Sequence, residues 1–308
     1  MTTINDKNVH ARDALIEFAP GPHKYTCKGE GGYVSVTTWL HSHFKPFDAD
    51  AIIQKMNLAN PRSKYYGKTP EEIKAGWDHT RDEAAAAGTA MHAAIEQWIL
   101  YEYPSGDIRL AETADRDHAG GLAKEIGALS PHFMDFVRDH PDLKPYRTEW
   151  MVFDEDVRIA GSIDMVGLQA PQNKQSGIQI PSQCTSGGGC TPRPPVRAKT
   201  GGGEGAEPPL VIYDWKRCKD IKKMNDFKEF ALTECIDHLP DTNYWHYALQ
   251  LNTYKAILEA KYNKKVAEMW LVGLHPSLPT YHLYAVPDLS EEVAALFALR
   301  TRSLLCEK

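Results

Sequence analysis

The chain has 308 residues, 42% hydrophobic and 25% charged, which suits one large domain or two small ones with a sizeable core. Its 7 Trp, 14 Tyr and 9 Phe exclude disorder throughout, and no apolar run reaches the roughly 18 residues of a membrane-spanning helix. Thirty-five basic and 41 acidic side chains give a net charge of −6, which argues against a general polyanion coat but allows a local basic groove. The opening residues, MTTINDKNVHARDALIEF, show no basic-then-apolar leader pattern, so an intracellular protein is expected, with its compartment open. Six scattered cysteines without a C-x-x-C pair fit free thiols better than a zinc site, a disulfide framework or an iron–sulfur cluster.

Thr69-Pro70-Glu71-Glu72 carries a helix start, with a cap, a proline at the first position and acids at the positive dipole end. An Ala-rich helical stretch with Met91, Ile95, Trp98 and Ile99 follows over 84–101, and a third helix is expected over 120–140. Arg158 to Gly167 and Leu210 to Lys216 read as strands. Between them, 169–209 holds eight Gly and seven Pro in 41 residues and no aromatic. That composition predicts a flexible insertion enlarging the turn of a β-hairpin. A helix over 245–262 puts Leu249, Thr253, Ala256 and Ile257 on one face. Strands are expected over 268–274 and 281–286, and Ser290-Glu291-Glu292 opens a last helix through Leu299. This order predicts a mixed α/β domain with helices against a central sheet.

The chemistry centres on Tyr213-Asp214-Trp215-Lys216. Strand side chains alternate, so Asp214 and Lys216 share a face while Trp215 points away. Taken alone, such a pair reads equally as a surface ion pair. Gly161-Ser162-Ile163-Asp164 places a second carboxylate on the neighbouring hairpin strand. Both acids sit in apolar runs and so need partners. Two converging carboxylates and a lysine suit a hard divalent cation such as Mg²⁺ or Mn²⁺. Gly88, His92 and Glu96 line one helical face at i, i+4 and i+8, with Gly88 expected to let that face approach the sheet. Gln250 and Tyr254 pair in the same way, as a bonded polar pair or as phosphate or base contacts.

Taken in order, G-x-x-x-H-x-x-x-E, G-x-x-D, D-x-K and Q-x-x-x-Y resemble the motifs of RecB-type nucleases in the PD-(D/E)XK superfamily, over about residues 84–259. Ser35-Val36-Thr37-Thr38 resembles an N-terminal S-x-T segment of such proteins. The resemblance implies a single nuclease domain with a restriction-endonuclease-like core, a mixed central sheet flanked by helices. The core would comprise 84–168 and 210–308, with helical additions over 1–83. It further implies that His92, Asp164, Asp214 and the backbone carbonyl of Trp215 bind Mg²⁺ or Mn²⁺, and that Lys216 orients or activates the attacking water. Gln250 and Tyr254 would support the site or the DNA backbone, and Glu96 would stand behind the ligands. Arg217 departs from the Thr or Ser frequent at its position, and the cysteine group of relatives that carry an iron–sulfur cluster is missing. Arg217 and Lys219 belong to a basic run, with Lys222 and Lys223, that reads as a solvated loop or a phosphate-tracking edge. The expected partner is DNA, and the expected activity metal-dependent exonucleolytic cleavage from single-stranded ends. A structure-specific endonuclease and an inactive DNA-binding or assembly protein are the alternatives. Tyr244, Trp245 and Tyr247 read as helix-core packing or as stacking surfaces for bases.

Overall fold

The computed structural model describes residues 2–102, 130–169 and 207–306. In chain order its elements are α1 (Ile4–Lys7), β1 (Ile16–Ala19), β2 (Lys24–Cys27), β3 (Glu30–Ser35), α2 (Val36–His41), α3 (Ala49–Gln54), α4 (Pro70–Glu102), α5 (Pro131–Asp139), β4 (Pro145–Asp154), β5 (Ile159–Leu168), β6 (Leu210–Lys216), α6 (Asn243–Lys261), β7 (Val266–Gly273), β8 (His282–Ala285) and α7 (Ser290–Cys306). The strands form one eight-stranded mixed sheet, flanked by helices on both faces. Among the described residues no helix is long and apolar enough to cross a membrane.

Two apolar layers sandwich the sheet. On one side α2, α6 and α7 bury Trp39, Leu40, Leu249, Ile257 and Leu296 against Trp150, Ile163, Ile212 and Leu271. On the other, α1, α4 and α5 bury Ile4, Met91, Ile95, Trp98, Phe133 and Phe136 against Met165, Trp215 and Val272. Strands covered on both faces lose clean alternation. This explains why Pro145–Asp154, with the polar Arg147 and Thr148 buried alongside Trp150, did not read as a strand in the sequence.

The N-terminal additions differ from the expected helical character. Among the described residues up to 83 there are three short α-helices, a 3-10 turn at Asp13–Leu15 and the start of α4, but also the meander β1–β2–β3. Lys28 and Gly29, with φ of 53° and 76°, close β2 onto β3 in a two-residue turn whose positive φ angles match strand twist. Tyr25 and Cys27 pack on Phe153 and Ala160. The two helical stretches expected after Thr69 are one 33-residue helix, α4. It opens on a reciprocal cap, Glu72 N–H to Thr69 Oγ1 at 3.2 Å and Thr69 N–H to Glu72 Oε2 at 2.8 Å. Its first half is largely exposed; from Met91 onward the 91/94/95/98/99 spacing buries one face on the sheet.

The outer edge of β4 is closed by side chains. Asn5 gives Thr148 O a donor and Thr148 N an acceptor, at 3.1 and 3.0 Å, and Asn8 Nδ2 donates to Tyr146 O at 2.8 Å. Arg12 Nη2 donates to Phe153 O at 3.1 Å. The expected hairpin forms: β5 pairs antiparallel with β6, extended by Gln169 N–H to Pro209 O at 2.8 Å. The insertion expected over 169–209 otherwise lies outside the described residues, except for Gln169 and Glu207–Pro209, as does the helix expected over 120–140 before Ser130.

Candidate active site at a strand fork

Strand β5 carries β4 along one edge, from Ile159 opposite Asp154 to Gly167 opposite Pro145. Its other edge is shared. β3 takes Ile159 and Ala160, and β6 takes Met165 to Leu168. Gly161 to Asp164 have no strand partner on that side. Beyond the Met165–Tyr213 pair, β6 leaves β5 and runs only with β7, so that Asp214, Trp215 and Lys216 lie opposite Leu271, Val272 and Gly273. The fork leaves backbone groups without ladder partners, and the site residues take them up. Trp215 N–H donates to Asp164 Oδ2 at 2.8 Å. Trp215 O accepts from His92 Nε2 at 2.8 Å, so the carbonyl expected as a ligand serves here to orient the histidine.

A carbonyl only accepts, so Nε2 carries a proton and donates it to Trp215 O, which leaves Nδ1 as the ring atom turned toward the acids. Nδ1 faces two carboxylates, Asp164 Oδ1 at 3.6 Å and Glu149 Oε1 at 3.9 Å. His92, Glu149 and Asp164 offer one ligand atom each within 4.8 Å of one another. Glu149 stands on β4 between Thr148 and Trp150, which pair with Met165 and Ile163 on either side of Asp164. Its φ of 47° kinks the strand there, and Ser162 Oγ donates to its Oε2 at 2.9 Å. Burial, reinforced by the charge of Asp164, pushes the Glu149 carboxyl up to about 7.

Asp214, expected among the ligands, stands outside this three-residue group and is 2% exposed. Lys216 Nζ lies 2.7 Å from its Oδ2 as an ion pair, and Gln250 Nε2 approaches Oδ1 at 3.5 Å. Burial raises the Asp214 carboxyl to about 6 against the opposing pull of Lys216. For Lys216, burial works against the ammonium, but the charges of Asp214 and Asp164 outweigh it and raise its pKa. The ammonium also lies 4.5 Å from the Tyr247 ring centroid.

Gln250 and Tyr254 come together as expected, Nε2 to the phenol oxygen at 3.4 Å, both facing the fork. Gly161 explains how. A Cβ there would stand 2.8 Å from both Cε1 and the hydroxyl of Tyr254, so only glycine lets the phenol lie across the unpaired stretch of β5. Gly88 does not act in this way. A Cβ at Gly88 would meet nothing within 4 Å, so it brings no closer approach of helix and sheet. It borders an open cleft of about 440 Å³ shared with Thr89, His92, Ala93, Glu96 and Glu149. Glu96 faces that cleft, its carboxyl raised by burial. Arg217 and Lys219 follow the fork at its rim; after burial, their positive charges are what lower the pKa of His275 beyond β7.

Glu149 is the site residue that motif reading missed. Its signal was an acid inside the aromatic and apolar run Tyr146–Phe153. Tyr244 and Trp245 do core work: the Tyr244 hydroxyl donates to Ala285 O at 2.9 Å and the Trp245 indole to Lys223 O at 3.0 Å. No family model matches this sequence, and no curated protein matches it either.

Proposed function

We propose that the chain is a metal-dependent phosphodiester hydrolase, a DNA exonuclease acting from single-stranded ends, in the manner of the RecB-type PD-(D/E)XK nucleases its motifs resemble. One observation carries the reading. The fork between β5 and β6 gathers His92, Glu149, Asp164, Asp214 and Lys216, drawn from four elements, beside one open cleft.

The donor set fits a hard divalent cation, with two carboxylates and one imidazole nitrogen within 4.8 Å. Burial and the charge of Asp164 both disfavour the ionised form of Glu149, and a cation held by the two acids would relieve both effects. Bound there, Mg²⁺ or Mn²⁺ supplies Lewis-acid polarisation of a phosphoryl oxygen. The protein's own residues do the rest. Trp215 O and N–H fix the His92 ring and the Asp164 carboxylate. Asp214 holds Lys216 in its charged form, where the ammonium offsets negative charge developing on the phosphate or orients the attacking water. Gln250 and Tyr254 brace Asp214 from α6.

The test is digestion of end-labelled linear single-stranded DNA beside a covalently closed circle, with Mg²⁺ or with chelator. An exonuclease degrades the linear strand alone and only with metal, and Asp214→Asn abolishes cleavage while the fold remains. Cutting of the circle favours an endonuclease. Binding without cleavage under any divalent ion favours an inactive nuclease fold.

A further inference from the structure

The segment between β6 and α6 leaves directly from Lys216 and returns to the helix that carries Gln250 and Tyr254. It is built, not slack. Asn225 holds Glu229 N–H at 2.9 Å, Glu229 O at 2.8 Å and Asp241 O at 3.0 Å, and Asn243 bonds Lys222 N–H and Asp220 O. Leu232 N–H to His43 O at 2.8 Å and the Lys45–Glu229 ion pair at 3.0 Å tie it to the chain after α2. Yet this pinned loop turns Met224, Phe227 and Leu232 outward, 64%, 83% and 64% exposed. Between Lys216 and Lys228 six basic side chains stand against two acids, in a chain whose net charge is −6. Lys222, Lys223 and Lys228 are exposed in the same loop as Phe227, Lys222 lying 3.8 Å from Asp220 and Lys223 4.6 Å from the Tyr244 ring centroid.

An apolar ring held in water by a polar scaffold, on a loop with an excess of basic side chains, matches one ligand chemistry, an unpaired nucleic-acid strand. Its bases offer π faces and its backbone offers one negative charge per nucleotide. We propose that this loop is the platform that holds the strand beside the fork, Phe227 stacking on a base with Met224 against it, while Lys222 and Lys228 meet phosphates. Along a duplex the bases are stacked on each other, so faces for Phe227 remain only at its two ends. The inference rests on the nuclease reading for its substrate, and on the loop alone for its residues.

The experiment is anisotropy of dye-labelled oligo(dT), oligo(U) and a blunt DNA duplex with the full chain in chelator, so that nothing is cut. The wild type should bind an unpaired strand more tightly than duplex, the better of oligo(dT) and oligo(U) identifying the strand as DNA or RNA. Phe227→Ala should weaken that binding by about fivefold or more with its salt dependence unchanged. Lys228→Gln should instead lower the slope of log affinity against log salt by about 0.7. Phe227 is too exposed for its loss to unfold the protein, and a melting curve checks this. Phe227→Ala binding like the wild type overturns the inference even if the enzyme cuts DNA. Wild-type protein that ignores all three probes overturns it in favour of a protein partner for the patch. Phe227-dependent binding without cleavage under any metal upholds it and defeats the nuclease reading instead.

Discussion

Gly161 and Tyr254, 93 positions apart in sequence, act as one unit. The phenol lies 2.8 Å from where a Cβ of residue 161 would stand, and it braces Gln250 toward Asp214. Gly161→Ala should therefore destabilise the fold by about 1–3 kcal/mol, since strand and ring cannot both keep their places. Thermal unfolding checks this, and the decisive arm is the double variant. Tyr254→Leu should cost less in the Gly161→Ala background than in the wild type; equal costs in both would show that the two residues do not meet. The acids and lysine of the fork were readable because a charged residue inside an apolar strand needs a partner. Glu149 was not. It lies on a strand covered on both faces, where alternation fails, and no sequence spacing links it to His92, which reaches it only through the fold.

At the scale of elements, the N-terminal segment works as an edge guard for β4, with Asn5 and Asn8 occupying backbone groups that would otherwise template another strand. Glu155, at the turn after β4, clamps the same region. Partial burial opposes its ionisation, but Arg12 and Lys28 outweigh this and hold it at about 2, below its ordinary 4.5. A carboxyl depressed in the folded state stabilises above the unfolded pKa and loses that contribution as pH falls toward the folded one. The wild type should thus exceed Glu155→Gln in stability by about 1–2 kcal/mol at neutral pH, with the gap closing between pH 4.5 and about 2. Melting curves across that range check it; a gap that persists at pH 2 would contradict the clamp. The β5–β6 ladder continues to Gln169 and Pro209. Replacing 173–205 with a few Gly and Ser should shift the melting temperature little, because closure entropy varies slowly with loop length. A truncated protein that melts far earlier would show that the segment contributes to the fold. The hairpin and the amphipathic half of α4 were legible from their periods. The β1–β3 meander was not, because its four- to six-residue strands give too few alternations to stand out.

Across the whole molecule the sheet does two jobs. Where β5 pairs on both edges it is core, buried between α2, α6 and α7 on one side and α1, α4 and α5 on the other. Where β3 and β6 leave its second edge bare, the same sheet presents unladdered backbone, and His92, Asp164 and Trp215 make a polar centre from it. The positive charge follows that division, with a basic run leaving the fork at Lys216 while the chain as a whole is acidic. The claim on which the functional reading depends is that His92, Glu149 and Asp164 hold a divalent cation. Calorimetric titration of Mn²⁺ into the full chain tests it without any substrate. The wild type should take up Mn²⁺, and His92→Ala, Glu149→Gln and Asp164→Asn should each bind it at least about tenfold more weakly. Three variants that bind Mn²⁺ as the wild type does, or a wild type that binds none, would contradict it.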